Sequence, residues 1–177
     1  MKSVQCLFNK YTFSEVIHFA VESHVDNSIK NLDGFVRTNV FGTFNLLDVA
    51  KNYWTESPNV FKANFKNSRF HYISIDEVYS TLGDEKLFTE DTSEATNSPY
   101  SASKSSLDFI VRGYFHTYSM NAITTNCFHN YGPKKHDKKL ISTIIRKAIS
   151  GEKSLIYSAR KNARKGLYVL DHSKGVS

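Results

Sequence analysis

The sequence is poor in cysteine, and this excludes two classes of structure. Its only cysteines, Cys6 and Cys127, lie far apart in the chain, which provides neither a disulfide framework nor the closely spaced thiolates of a structural zinc site. The seven histidines also show no metal-ligand spacing with cysteines or carboxylates. We therefore expect two free thiols and no bound metal.

Long hydrophobic runs are absent as well. No segment approaches the roughly 20 consecutive apolar residues of a membrane-spanning helix. The residues after Lys2 are interrupted by Gln5, Asn9 and Lys10, so they do not form the apolar region of a secretory leader. These two absences predict a cytoplasmic protein, and 177 residues suffice for one sizeable core.

A strong excess of one charge is also missing. The net charge of +6 favours phosphorylated small molecules or polyanions as partners, but it does not require nucleic acid. The basic runs at residues 134–139 and 160–165 have no interleaved aromatic residues and match no nucleic-acid motif. We expect solvated loops with one or two contacts to a diphosphate, and no nucleic-acid partner.

Glycine-rich turns are the last absence. A dinucleotide site of the Rossmann type needs glycines between a strand and a helix, so that backbone amides can approach a pyrophosphate. The eight glycines of this sequence are scattered, and no GxGxxG or GxxGxxG spacing occurs. The sequence therefore contains no pyrophosphate-binding loop of this kind.

The pattern that is present alternates strands with helices, which is typical of an α/β protein with a parallel sheet. Apolar runs predict strands at residues 16–20, 70–75 and 122–127. Helical periodicity predicts long helices at residues 36–54 and 99–118, and a further amphipathic helix that ends near Gly151. Ser98 is the expected N-cap before Pro99, and residues 130–133 (NYGP) are expected to form a turn.

Tyr100 and Lys104 form the sharpest chemical pattern, within the segment SPYSASK. Four residues apart at the start of a helix, they lie on one face. A phenol with a pKa near 10 needs about 4 kcal/mol of phenolate stabilisation to act as a base near pH 7, and a neighbouring ammonium can supply part of it. On spacing alone, an ordinary surface helix remains the more common explanation.

Asp76 and Glu77 follow directly after the strand at residues 70–75, where open α/β sheets bind their ligands. Two adjacent carboxyl groups repel as anions, so one can keep a proton and donate it while the other accepts one. Such a pair could perform an elimination. A solvated acidic turn is the alternative for an isolated Asp-Glu dipeptide.

Taken together, several segments resemble the extended short-chain dehydrogenase/reductase superfamily, and within it the dTDP-glucose 4,6-dehydratase family. They are HFAVESHVDNSI (18–29), TNVFGTFNLLDVA (38–50), FHYISIDEVYS (70–80), NSPYSASKSSLDFIVR (97–112), TNCFHNYGP (125–133) and RKGLYVLDH (164–172). The DEVY tetrapeptide points to the dehydratase branch. The resemblance implies a partial Rossmann-like, doubly wound parallel sheet that lacks the first three strands and the Gly-rich loop. It also implies one incomplete domain over residues 1–177, with the substrate-binding part starting at about residue 134.

The resemblance further implies NAD as cofactor, a nucleotide-diphosphate sugar as substrate, and a homodimer formed through a four-helix interface. By position, Tyr100 resembles the base for the sugar 4-hydroxyl and Lys104 the residue that lowers its pKa. Asp76 resembles the acid that protonates the departing 6-hydroxyl, and Glu77 the base that removes the C5 proton. The implied cofactor contacts are Phe19, Ala20, Val21, Glu22, Ser23, Thr38, Tyr100, Lys104 and Asn130. The implied substrate contacts are Ser23, Ile75, His129, Lys139, Leu140, Ile156, Tyr157 and Arg164.

The chain departs from that family pattern at recognisable positions. Ile75 stands where the family has a threonine, and His129 where it has a substrate-binding asparagine. With the first three strands absent, the strand at residues 16–20 is expected to present a bare apolar edge. Two interpretations stay open. The first is an NAD-dependent nucleotide-sugar 4,6-dehydratase (a lyase), or a piece of one that another chain completes, and the second is an inactive truncated remnant.

Overall fold

The structure is a computed structural model that describes residues 2–23, 31–79, 88–137, 139–153 and 166–177. It divides into two compact units, residues 1–126 and 127–177.

Three strands form the sheet of the first unit, in the order β1–β4–β5: β1 is Glu15–His18, β4 is Arg69–Ile75 and β5 is Ala122–Cys127. β1 runs parallel to β4, with Val16 opposite Phe70 and His18 opposite Tyr72. The predicted strand at residues 16–20 thus begins one residue earlier and ends two residues earlier. As expected, β1 is an edge strand of the described sheet, and Ile17 on it is exposed.

A helix that the sequence analysis did not predict precedes this sheet. α1 spans Lys2–Tyr11 and buries Phe8, whose ring makes an edge contact with Tyr53 at 5.5 Å. The polar residues Gln5 and Asn9, which interrupt the apolar run in sequence, are both exposed. The interruption is therefore the polar face of an amphipathic helix.

The predicted helix at residues 36–54 is a composite. A short helix α2 (Leu32–Phe35) leads into a π-helix (Val36–Phe41) and then into α3 (Gly42–Trp54). Each turn of a π-helix takes up more residues than an α-turn, and the buried positions before residue 43 are Phe35 and Asn39 rather than the neighbouring valines, Val36 and Val40. The buried residues along this composite helix are Phe35, Asn39, Thr43, Leu47, Val49, Ala50 and Trp54.

The connection from α3 to β4 contains two very short strands, β2 (Thr55–Ser57) and β3 (Val60–Phe61), paired antiparallel, and a 3-10 turn at Ala63–Phe65. A second 3-10 helix, Asp76–Tyr79, follows β4 immediately, so the strand ends at Ile75 as predicted.

Helix α4 spans Pro99–Tyr118, with the bounds that the sequence predicts. Its N-cap is Ser98, whose Oγ accepts from the backbone amide of Ser101, while the Ser101 Oγ accepts from the Ser98 amide. α4 packs on β4 and on the π-helix. The core between these elements contains Leu47, Trp54, Phe70, Tyr72, Leu107 and Val111.

In the part of the second unit that the structure describes, there are a parallel pair of short strands and two helices. β6 (His129–Tyr131) pairs with β7 (Gly166–Tyr168), so the predicted turn at residues 130–133 is wrong in its first half and begins only after Tyr131. α5 is Leu140–Ile149 and α6 is Val169–Val176. A Cβ at Gly132 would lie 2.5 Å from Val169 Cγ1, so any larger residue here would have to displace the Val169 side chain.

Two chemical expectations can also be compared with the described residues. Cys6 and Cys127 are not joined in a disulfide, as expected from their separation in the sequence. Among the described helices, none combines the length and the apolar character needed to cross a membrane.

Candidate active site

Asp76 and Glu77 lie at the carboxyl end of β4, where they open the 3-10 helix Asp76–Tyr79, and both are half-buried. The third residue of this turn, Val78, is fully buried and anchors it. The Val78 carbonyl also accepts a hydrogen bond of 2.8 Å from the amide of Ala95, so residues 88–98 are tied to the turn. The two carboxyl groups are thus carried by a backbone that is fixed on both sides.

Tyr100 and Lys104 lie in the first turns of α4, and both side chains are buried. The Tyr100 ring meets the ring of Phe35 edge-on, with centroids 6.3 Å apart. Lys104 is only 2% exposed, and its Nζ donates to the Ile73 carbonyl at 2.7 Å. The ammonium also lies 4.2 Å from the centre of the Tyr72 ring, a cation–π contact that helps to hold a buried charge.

Helix α4 contacts the 3-10 helix that carries Asp76 and Glu77. The lysine of the tyrosine–lysine pair is bonded to β4 only three residues before Asp76. The structure therefore brings together, within one unit, the two elements that carry the four residues predicted to be catalytic.

The segment at residues 19–23, predicted to contact the cofactor, follows β1 and is tied down by Asn39. The Asn39 side chain accepts from the Glu22 amide at 2.9 Å and donates to the Glu22 carbonyl at 3.2 Å. Its Nδ2 also lies 3.2 Å from Ser103 Oγ on α4, next to Lys104. Thr38, the predicted cofactor contact beside it, is exposed.

Sequence reasoning did not single out Asn39. It is 1% exposed, whereas its apolar neighbours Val36 and Val40 are only half-buried. An asparagine at a core-facing position has to satisfy its amide, and here it does so with the backbone of one segment and the hydroxyl of another. The available signal was a polar residue inside an apolar helical pattern, but its partners are distant in sequence.

His18, at the end of β1, is a second residue that the sequence analysis did not place in the site. Its Nε2 hydrogen-bonds the Thr43 hydroxyl at 2.8 Å, and its ring lies 5.9 Å from that of Tyr72. Burial, and secondarily the positive charge of Lys104, lowers the pKa of His18 to about 4. The imidazole is therefore neutral near pH 7.

Of the other predicted contacts, Ile75 is the last residue of β4, and the rest lie in the second unit or outside the described residues. Asn130 Nδ2 lies 2.7 Å from His172 Nδ1, and the Asn130 carbonyl accepts from Lys135 Nζ. His129 and Leu140 are exposed, and Lys139 is half-buried directly before α5. The predicted substrate contacts at Ile156, Tyr157 and Arg164 fall outside the described residues.

A metal centre is not formed by the parts of the chain that the structure describes. No group of three or more histidine, cysteine, aspartate or glutamate side chains there is arranged to hold an ion.

The geometry defines an α/β domain of the Rossmann-like class, with a tyrosine–lysine helix beside an acidic strand end. The profile of the family described as GDP-mannose 4,6 dehydratase matches residues 1–177, and the chain belongs to this family. The fold class is the one that the sequence predicts, because solved enzymes of the same architecture superimpose on nearly the whole chain.

Three similar proteins share the name dTDP-glucose 4,6-dehydratase. The dTDP-glucose 4,6-dehydratase of Xanthomonas campestris pv. campestris is 44% identical over 170 residues, which are 96% of this chain and 48% of that protein. DesIV, the dTDP-glucose 4,6-dehydratase of Streptomyces venezuelae, was solved with NAD and TYD bound. It matches with a TM-score of 0.85 and 33% identity, over 99% of this chain and 50% of DesIV. The Bacillus anthracis enzyme, in complex with NAD, gives a TM-score of 0.83 and 34% identity, over 99% and 50%.

The chain therefore spans about half the length of the curated relatives that it matches.

Proposed function

We propose that this chain carries the acid–base residues of a nucleotide-sugar 4,6-dehydratase that acts on dTDP-glucose with NAD as cofactor. The observation that carries the proposal is the contact of α4, with its buried tyrosine–lysine pair, against the turn formed by Asp76 and Glu77. The names of the relatives, at 44% identity, support the choice of substrate.

Each of the four side chains has a proposed task in proton transfer. Tyr100, as the phenolate, takes the proton of the sugar 4-hydroxyl. Lys104, a buried ammonium held by the Ile73 carbonyl, stabilises that phenolate. Glu77 then removes the proton at C5, and Asp76 donates a proton to the 6-hydroxyl, which leaves as water. The neutral acid and the anionic base on adjacent residues make this elimination balanced in protons.

The residues present suit the nicotinamide half of the cofactor. Tyr100 and Lys104 offer a phenol and an ammonium for ribose hydroxyls, and residues 19–23 are held beside α4 by Asn39. NAD would accept a hydride from the sugar and return it. On the same proposal, Thr38 and Asn130 contact the cofactor, and Ser23, Ile75, His129, Lys139, Leu140, Ile156, Tyr157 and Arg164 contact the nucleotide sugar.

The proposal is tested by incubating the purified chain with NAD and dTDP-glucose and measuring the 4-keto product by its absorbance in alkali. The same assay is run with a fragment of the Xanthomonas campestris relative that covers the part of its length outside the match. We expect product in at least one of these mixtures. Tyr100→Phe should lower the rate at least 100-fold, because general base catalysis is lost while the ring is kept.

Tyr118→Phe is the matched control, since it removes the same hydroxyl at the other end of the same helix. Its rate should stay within twofold of the unmodified chain. If neither mixture gives product and neither retains NAD, the proposal is wrong and the inactive remnant is the better interpretation.

The proposed assembly is a homodimer through the α3 and α4 helices. Phe109 and Phe115 are large aromatic residues exposed on α4, and Phe41 is exposed just before α3. Exposed aromatic residues of this kind are typical of interfaces. Sedimentation of the unmodified chain as a dimer and of Phe109→Glu as a monomer would support this assembly, whereas a monomeric unmodified chain would contradict it.

A further inference from the structure

The last three residues of β4 are each held by a side chain from a neighbouring element. Lys104 Nζ of α4 donates to the Ile73 carbonyl at 2.7 Å. Ser74 Oγ donates to Asp108 Oδ2, also of α4, at 2.8 Å. Asn126 Nδ2 of β5 donates to the Ile75 carbonyl at 3.2 Å. The chain that enters Asp76 is therefore fixed by three consecutive hydrogen bonds.

Asp108 joins two of these contacts. It lies one helical turn after Lys104 and is 8% exposed. Its Oδ2 accepts both from Ser74 and, at 3.4 Å, from the same Asn126 amide that holds the Ile75 carbonyl. Its Oδ1 is buried and has no hydrogen-bond partner among the described residues. One carboxyl group thus links α4, β4 and β5 immediately before the acidic pair.

Opposing influences act on the pKa of Asp108. Burial is the largest cause that raises the pKa of Asp108, to about 7, and the negative charge of Glu94 acts in the same direction. The hydrogen bonds from Ser74 and Asn126 and the positive charge of Lys104 oppose it. The phenols of Tyr72, from β4, and Tyr79, from the 3-10 helix, also lie within range of its charge.

A carboxyl group is a costly choice for a packed helix position if packing were its only purpose. Burying one without full hydrogen bonding destabilises the folded state, and an apolar residue of similar volume would avoid that penalty. Asp108 buries Oδ1 without a hydrogen-bond partner, while its Oδ2 accepts a hydrogen bond from Ser74 at the end of β4. The reason for a carboxyl group at this position is therefore the hydrogen bonding that it provides to Ser74 of β4 and Asn126 of β5.

We propose that Asp108 is a positioning residue, which sets the direction in which β4 delivers Asp76 and Glu77 toward the face of α4 that carries Tyr100. This inference rests on the proposed function for the meaning of the acidic pair, but the contacts themselves do not depend on it. Asp108 acts through Ser74 and Asn126 and touches no reacting atom.

The test is hydrogen–deuterium exchange of the folded chain, read on peptides that cover residues 73–79. Asp108→Leu removes the acceptor and should raise exchange at residues 76–79 at least tenfold. Asp108→Asn keeps an acceptor oxygen of the same shape and should stay within threefold. Asp48→Asn is the matched control, because Asp48 also accepts hydrogen bonds from Lys51, Asn52 and Tyr114 but touches no residue of β4 in these contacts.

A pH series supplies a readout that general destabilisation would not give. After correction for intrinsic exchange, residues 76–79 of the unmodified chain should change protection between pH 6 and 8, as Asp108 ionises. In Asp108→Asn, the protection of residues 76–79 should not change over this pH range, although this variant still contains Glu94, Asp76 and Glu77. The exchange arm uses no NAD or sugar, so its result stands whatever the outcome of the activity assay.

Ser74→Ala keeps the experiment decisive if Asp108→Leu does not fold. It deletes the shorter of the two hydrogen bonds to Asp108 and should raise exchange at residues 76–79 at least threefold. Where turnover is measurable, the same variant should lower kcat and leave KM within twofold. Unchanged exchange at residues 76–79 in Ser74→Ala, or an equal rise in Asp48→Asn, would overturn the proposal.

Discussion

The two units use similar amphipathic sequences with opposite results. In the first unit, the apolar faces of α1, α3 and α4 share one core with the sheet, and Trp54 at the end of α3 is 0% exposed. In the second unit, α5 has an equally clear apolar stripe, yet none of its residues is buried and Ile149 is 82% exposed. The pattern in sequence predicts a helix, but only the surrounding chain determines whether its apolar face is covered.

The largest expected contrast compares one buried and one exposed apolar residue from these two helices. Trp54→Ala should lower the free energy of unfolding by about 3–5 kcal/mol, because it leaves a large cavity and removes the Nε1 hydrogen bond to the Phe13 carbonyl. Ile149→Ala should change it by no more than about 0.5 kcal/mol. Urea denaturation followed by circular dichroism measures both, and equal losses would contradict the comparison.

A somewhat smaller effect depends on pH and belongs to the buried network of the first unit. Because the pKa of Asp108 is raised to about 7, the folded state keeps a proton that the unfolded state loses above its pKa of 3.8. The stability of the unmodified chain therefore falls as pH rises between these values. As pH rises, the free energy of unfolding of Asp108→Asn should therefore increase relative to that of the unmodified chain by about 1.4 kcal/mol for each pH unit between the two pKa values. The total difference is on the order of 4 kcal/mol.

The neutral His18 gives the opposite slope over part of this range. Its lowered pKa, about 4, means that stability is lost as pH falls from 6.5 toward 4. The Asp108→Asn comparison should therefore be read as a difference between variant and unmodified chain, both of which contain His18. A difference that does not change between pH 4 and 7 would contradict a raised pKa at Asp108.

The smallest effect is expected in the second unit. Gly132→Ala places a methyl group against Val169 and should destabilise this unit by about 1–3 kcal/mol. Val169→Ala in the same chain should restore most of the loss, because it removes the Cγ1 atom that the new methyl group meets. Thermal unfolding of the two single variants and the double variant measures this coupling, and additive losses would show that the close approach is not the cause.

The sequence was most informative where a local rule determines the structure. The end of β4 at Ile75 followed from two carboxylates that a buried strand does not accommodate, and the start of α4 from a serine before a proline. These are short-range signals, and both predictions are confirmed. The substrate contacts expected at Ile156, Tyr157 and Arg164 stay predictions.

Signals that depend on distant partners were not visible in the sequence. Asn39 can be buried because its side-chain amide is hydrogen-bonded to Glu22 and Ser103. Asp108 can be buried because its carboxyl group accepts hydrogen bonds from Ser74 and Asn126. In sequence these residues are only polar interruptions of apolar helices. Helix α1 was missed for a related reason, since its polar face resembles a broken hydrophobic run.

The π-helix at Val36–Phe41 determines which side chains of this part of the composite helix face α4, Asn39 among them. Removing a single residue within it, so that ordinary α-helical winding is restored, would rotate everything on its N-terminal side by about 100° relative to α3. The amide of Asn39 would then turn away from Glu22 and Ser103. The hydrogen bonds that hold residues 19–23 would be lost, although Asn39 and Glu22 themselves would be unchanged. The irregular winding thus allows one composite helix to contact the core with its C-terminal half and residues 19–23 with its N-terminal half.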